Sequence, residues 1–164
     1  MLRGLGVRVR GADRSPTNAK AQACDEFLEG DRWRDALSDT DVLVLAVPLY
    51  ESTRHCIGTR ELALLPENAI VINIARAEVV DLAALLDALR NGGIAGAALD
   101  VLDPVPAKDD PLWTTPNLLI TPKVAAHHPG MQSDFEAFAE AQTKRFLSGA
   151  SLEAVVSGFP RQAT

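Results

Sequence analysis

Ala69-Ile70-Val71-Ile72-Asn73-Ile74-Ala75-Arg76 is an apolar run that stops at a charged residue. Ala69 to Ile74 read as a β-strand, and their continuous apolar character is what a strand covered on both faces requires. Val79-Val80-Asp81 follows, with Asp81 placed to cap a helix running to Arg90. Leu82, Leu85, Leu86 and Leu89 fall on one face of that helix. Asn91-Gly92-Gly93 stops it. Ile94 to Leu99 is the next strand, with Asp100 directly after it. Leu118 to Thr121 is another, followed by Pro122 and Lys123.

The same alternation extends upstream. Val42 to Val47 is a continuous apolar strand, and Thr59 to Leu65 is helical behind a cap at Gly58-Thr59. Trp33 to Leu37 reads as a short helix, and Val7 to Ala12 as a strand with Asp13 at its end. Pro129 opens a long final helix that closes near Gly149. Asp103 to Pro111 is a loop rich in proline and aspartate. Apolar strands separated by helices predict an α/β fold, a doubly wound parallel sheet with helices on both faces. Residues 1–150 are expected to form one domain and 151–164 a return segment or tail.

The composition narrows the function. With 164 residues the chain can bury a real core. A formal charge of -6 argues against nucleic acid as the main partner. No apolar run approaches the roughly 18 residues of a membrane span, and the first residues lack the apolar region of a signal peptide. Cys24 and Cys56 form no CxxC pair, so they read as reduced structural thiols of a cytoplasmic protein. No metal site is read.

Gly4 and Gly6 invite comparison with a phosphate-binding loop. Val9 stands where the third glycine of G-x-G-x-x-G belongs, and a strand rather than a helix follows. The pair therefore reads as a helix end and turn. In the usual strand order 3-2-1-4-5-6, Val7–Ala12 would then be the second strand, with the first strand and its glycine-rich loop lacking. Either the second and fourth strands pair directly, or a groove with unpaired backbone groups remains. On this reading the chain is N-terminally truncated.

Four motifs carry a resemblance: Ile72-Asn73-Ile74-Ala75-Arg76, Val79-Val80-Asp81, Ala95-Gly96-Ala97-Ala98-Leu99-Asp100-Val101 and Ile120-Thr121-Pro122-Lys123. In order and spacing they resemble the nucleotide-binding domain of the D-isomer-specific 2-hydroxyacid dehydrogenases, from Leu2 to about Val156. The resemblance implies hydride transfer between NAD(H) and a small 2-oxo or 2-hydroxy acid, a Rossmann-like fold, and a homodimer formed through nucleotide domains. It assigns Asp13 to the adenosine ribose, which favours NAD, while Arg14 beside it leaves NADP open. Val47, Pro48 and Thr53 would pass close to the adenine and ribose, with Ile74 and Ala75 as further cofactor-binding positions. Asp100 would meet the nicotinamide carboxamide. Arg76 would bind the substrate carboxylate through two parallel charged hydrogen bonds.

The chain also departs from the family pattern. Val105 stands where a glutamate is expected, Lys123 where a histidine is expected, and Ala77 where a glycine is expected. The usual carboxylate holds the imidazole and raises its pKa, so that it can protonate the carbonyl. Valine accepts no hydrogen bond, and lysine is a weak acid near its reference pKa of roughly 10.4. A lysine in a dry cleft would have a depressed pKa and could serve as the donor. His127 and His128 are the other candidates for that role. The alternative to an enzyme is a non-catalytic NAD-binding or dimerisation module, or a gene fragment without independent activity.

Overall fold

The computed structural model describes residues 2–13 and 22–154. Arg14 and residues 155–164 lie outside them. The chain divides into two compact units, Met1–Ala125 and Ala126–Thr164.

All strands of the first unit pair in parallel. A two-stranded sheet joins β1 (Arg10–Asp13) to β2 (Glu26–Glu29). A four-stranded sheet runs in the order β3 (Val42–Leu45), β4 (Ile70–Asn73), β5 (Gly96–Leu99), β6 (Leu118–Ile120). The chain reaches β1 through a 3-10 turn at Leu2–Leu5 and Gly6 at φ +76°, the helix end and turn expected there. β1 does not pair with β3, so the second and fourth strands of the expected order do not close on each other. β2, which the sequence reading did not foresee, takes one side of β1 instead.

The inward-facing residues follow from period-two alternation. Leu45, Val71, Asn73, Ala97 and Leu99 share the buried face and meet Leu85 and Leu89 of α2 (Leu82–Arg90). On the opposite face Val42 and Val44 are each 49% exposed and Leu119 is 61% exposed. Among the described residues this second face is the more exposed of the two.

Asp81 caps α2 as its sequence implied, its Oδ1 accepting from Ala84 N at 3.2 Å. Gly92 at φ +69° ends the helix, a conformation that costs glycine little. Upstream, a 3-10 segment at Gly30–Asp39 buries Ala36 and Leu37. It is tied to α1 (Thr59–Leu62) by the Arg34 Nε to Glu61 Oε1 bond at 2.9 Å. Burial opposes the Glu61 charge. The Arg34 guanidinium and the Gly58 N–H outweigh it and hold the carboxyl below its ordinary range. Burial pushes the Cys56 thiol up, as befits an inert structural cysteine.

In the second unit, α3 (Met131–Leu147) buries no residue, and Phe135 and Phe146 are exposed.

Candidate functional site

In an open parallel sheet, ligands bind outside the carboxyl ends of the strands, where successive loops splay apart. Four loops leave that edge here. Val47, Pro48 and Thr53 follow β3. Ile74, Ala75 and Arg76 follow β4, Asp100 follows β5, and Lys123 follows β6. Backbone bonds continue the sheet into these loops. Ile74 N donates to Leu45 O at 3.2 Å, Asp100 N to Asn73 O at 2.9 Å, and Thr121 N to Leu99 O at 3.0 Å. The sequence-predicted residues from Val47 to Lys123 therefore share one rim. Asp13 stands at the carboxyl end of β1, in the other sheet.

The β3 loop is folded back on itself. The Thr53 hydroxyl donates to Pro48 O at 2.8 Å and accepts from Tyr50 N at 2.7 Å. His55 N donates to Glu78 O at 2.7 Å and Ile57 N to Val79 O at 3.2 Å, which binds this loop to the segment after Arg76. Thr53 thus shapes the loop, and His55 is an exposed loop residue.

Arg76 is exposed, and its Nη1 donates to Ala75 O at 2.7 Å. Its turn is held from beneath by Asn73, which is 1% exposed. Asn73 Nδ2 donates to Arg76 O at 2.8 Å, and its Oδ1 accepts from Ala75 N at 3.0 Å. Asp100 is 7% exposed. Its Oδ1 accepts from the Thr121 hydroxyl and from Val124 N, and its Oδ2 from Ala125 N. Lys123 lies between those donors at φ +57°, exposed to solvent. Val105 is 78% exposed and presents no acceptor. His127 and His128 belong to the second unit, where His128 Nε2 is 3.9 Å from Asp134 Oδ2.

Asn73 and Thr121 were not singled out from sequence. A buried amide inside an apolar run, Ile72-Asn73-Ile74, was the available signal, because a buried polar group must find partners. A cavity of about 410 Å³ opens beside the rim, between α2 and the loop after β5, and Asn73, Ala77 and Leu99, neighbours of Arg76 and Asp100, line it. His55, Glu78, Leu86, Val101, Pro104 and Leu112 are among its lining residues, whereas Arg76, Asp100 and Lys123 are not. The chemistry of the rim is a guanidinium, an ammonium and a run of strand-end backbone groups, suited to an anionic substrate beside a nucleotide.

Comparison with known proteins agrees with this architecture. Residues 1–125 match the family described as D-isomer specific 2-hydroxyacid dehydrogenase, NAD binding domain. A glyoxylate reductase of Thermococcus gammatolerans is 39% identical over 147 residues, 89% of this chain and 42% of that protein. A D-3-phosphoglycerate dehydrogenase of Methanocaldococcus jannaschii is 41% identical over 117 residues, 71% of this chain and 22% of that protein. The chain spans less than half the length of these relatives. The NADPH-dependent glyoxylate/hydroxypyruvate reductase of Sinorhizobium meliloti, solved with NADP and sulfate, superposes with a TM-score of 0.82 at 31% identity. That match covers 95% of this chain and 50% of that one. The D-lactate dehydrogenase of Lactobacillus jensenii, solved with NAD+, gives 0.80 at 28% identity with the same coverage.

Proposed function

Because the chain belongs to the D-isomer-specific 2-hydroxyacid dehydrogenases and carries their NAD-binding domain, we propose that its carboxyl rim binds NAD(H) beside a small 2-oxo or 2-hydroxy acid, with proton transfer impaired. One observation carries this reading: Arg76, Asp100 and Lys123 leave the carboxyl ends of three adjacent parallel strands. When bound, NADH supplies a hydride to the carbonyl carbon of the acid.

The chain's own residues do the rest. The Arg76 fork pairs with the substrate carboxylate. Asp13, at the end of β1, accepts from the ribose hydroxyls, and Val47, Pro48, Thr53, Ile74 and Ala75 line the cofactor's path. Asp100 marks the nicotinamide end. Lys123 is the proton donor to the carbonyl oxygen. Val105 has no side-chain acceptor to orient it, as a carboxylate would. NADP remains an alternative cofactor, since relatives of this fold have been solved with either nucleotide.

Among the described residues β3 pairs on one side only, with β4, and β1 lies in a separate sheet. A homodimer through this domain is the expected assembly. A cytoplasmic setting suits cysteines that form no CxxC pair, and no helix among the described residues is long and apolar enough to cross a membrane.

Calorimetric titration with NADH, followed by absorbance assays with glyoxylate, pyruvate and hydroxypyruvate, tests the reading. Binding of NADH with slow turnover of one acid is expected. Binding with no turnover favours the second reading, a non-catalytic nucleotide-binding or dimerisation module, for which Val105 and Lys123 speak. No heat at high protein concentration removes the nucleotide claim and leaves a fragment without independent activity.

A further inference from the structure

We propose that Asn73 and Asp100 are a linked pair of positioning residues, Asn73 setting the turn that carries Arg76 and Asp100 the turn that carries Lys123. The proposal rests on the rim being the reaction site. It concerns how two reacting side chains, neither of them buried, come to be held in place.

Each of the two buried polar groups bonds to the loop backbone around one exposed cation. Asn73 closes on the Ala75–Arg76 turn from both sides, accepting from Ala75 N at 3.0 Å and donating to Arg76 O at 2.8 Å. Asp100 receives donors from before and after Lys123: the Thr121 hydroxyl on one side, Val124 N at 2.9 Å and Ala125 N at 3.0 Å on the other. Lys123 takes φ +57°, a region that a side chain-bearing residue adopts sparingly and keeps only where its surroundings impose it. The three bonds to Asp100 supply that imposition. A carboxylate suits the task because it is acceptor-only and can take several donors at once.

The two clamps meet on one rung of the sheet. Asn73 O accepts from Asp100 N at 2.9 Å, and the Arg76 and Lys123 turns are both hung from this pair of strand ends. The spacing between the guanidinium that takes a carboxylate and the amine that faces a carbonyl is thereby set through backbone. No ion pair between the two side chains is needed, and two cations could not form one. This gives Asp100 a task distinct from meeting a carboxamide, and it gives Asn73 a task of its own.

The test combines residue-resolved amide hydrogen exchange on the ligand-free chain with steady-state kinetics using NADH and glyoxylate. Asp100→Asn presents an NH2 group to one of the loop donors. Exchange at Val124 and Ala125 is expected to rise about tenfold or more, while Val71 and Leu99 keep their protection. Asn73→Ala should do the same at Ala75 alone. Thr121→Val is a milder variant that tests the clamp if Asp100→Asn does not fold, and Thr121→Ser should restore the protection that Thr121→Val loses.

In kinetics, Asp100→Asn should lower kcat with little change in KM for glyoxylate, and Asn73→Ala should mainly raise KM. Unchanged exchange at Val124 and Ala125 in both Asp100→Asn and Thr121→Val overturns the clamp, as does an identical kcat and KM response to the two substitutions. If the unaltered chain neither binds NADH nor turns over any acid, the reading of the rim as a reaction site fails. The exchange result then still decides whether these side chains hold the two turns.

Discussion

Arg76 and Glu61 show two opposite uses of a charged residue. Arg76 is exposed on a turn fixed by Asn73, available to an anion. Arg76→Lys keeps the charge and loses the fork, so binding of a 2-oxo acid to the NADH-loaded chain should weaken by about 1–3 kcal/mol, with NADH affinity unchanged. Paired calorimetric titrations with NADH and with glyoxylate check this. Glu61 is buried against Arg34, and its carboxyl is held below the ordinary range despite the opposing effect of burial. A depressed folded pKa contributes stability that is complete above the unfolded value, roughly pH 4.3. That stability is lost as pH falls through the lower folded value. Glu61→Gln should therefore cost about 2 kcal/mol at neutral pH in denaturant unfolding, and the difference from the unaltered chain should shrink below about pH 4. The rim positions of Arg76 and Asp100 were legible in the sequence, because each is a charged residue at the end of an apolar run. The work of Asn73 and Thr121 was not, because Asn73 bonds to the backbone of a turn and the Thr121 hydroxyl to the Asp100 carboxylate, partners that no spacing rule describes.

Helix α2 is the element whose sequence said most. Asp81 caps it and Gly92 follows its end, as Val79-Val80-Asp81 and Asn91-Gly92-Gly93 implied. Asp81→Ala should lower stability by about 1 kcal/mol, read from the thermal or denaturant midpoint. The four leucines assigned to one face are not equal. Leu85 is 0% exposed and Leu82 is 37% exposed. Leu85→Ala should cost about 2–5 kcal/mol and Leu82→Ala less than about 1 kcal/mol, a contrast that equilibrium unfolding resolves. The strands of the four-stranded sheet were legible as apolar runs that the structure trims at their ends, whereas the strand expected over Val7–Ala12 forms at Arg10–Asp13, taking in Asp13 and leaving out Val7 to Val9. β2 was not legible. Glu26-Phe27-Leu28-Glu29 has only two apolar residues between glutamates, and its identity as a strand comes from pairing with β1. The 3-10 segment at Gly30–Asp39 outgrew the expected Trp33–Leu37 helix because Arg34, through Glu61, ties it to α1.

At the scale of the molecule, a parallel α/β sheet orders the chemistry. Strand polarity puts every loop that follows a strand on one edge, so residues spread from Val47 to Lys123 share a rim without touching in sequence. This much followed from the alternation of apolar runs and helices. The division into a two-stranded and a four-stranded sheet did not, since the sequence left open whether β1 would close on β3. The central claim is that the four-stranded sheet's carboxyl rim is the nucleotide site, and amide chemical-shift mapping during an NADH titration tests it most directly. The account predicts saturable shifts at Ile74, Ala75, Arg76, Asp100 and Val124. Saturating NADH that leaves those rim amides unmoved, or that shifts only residues around the cavity beside α2, would contradict it.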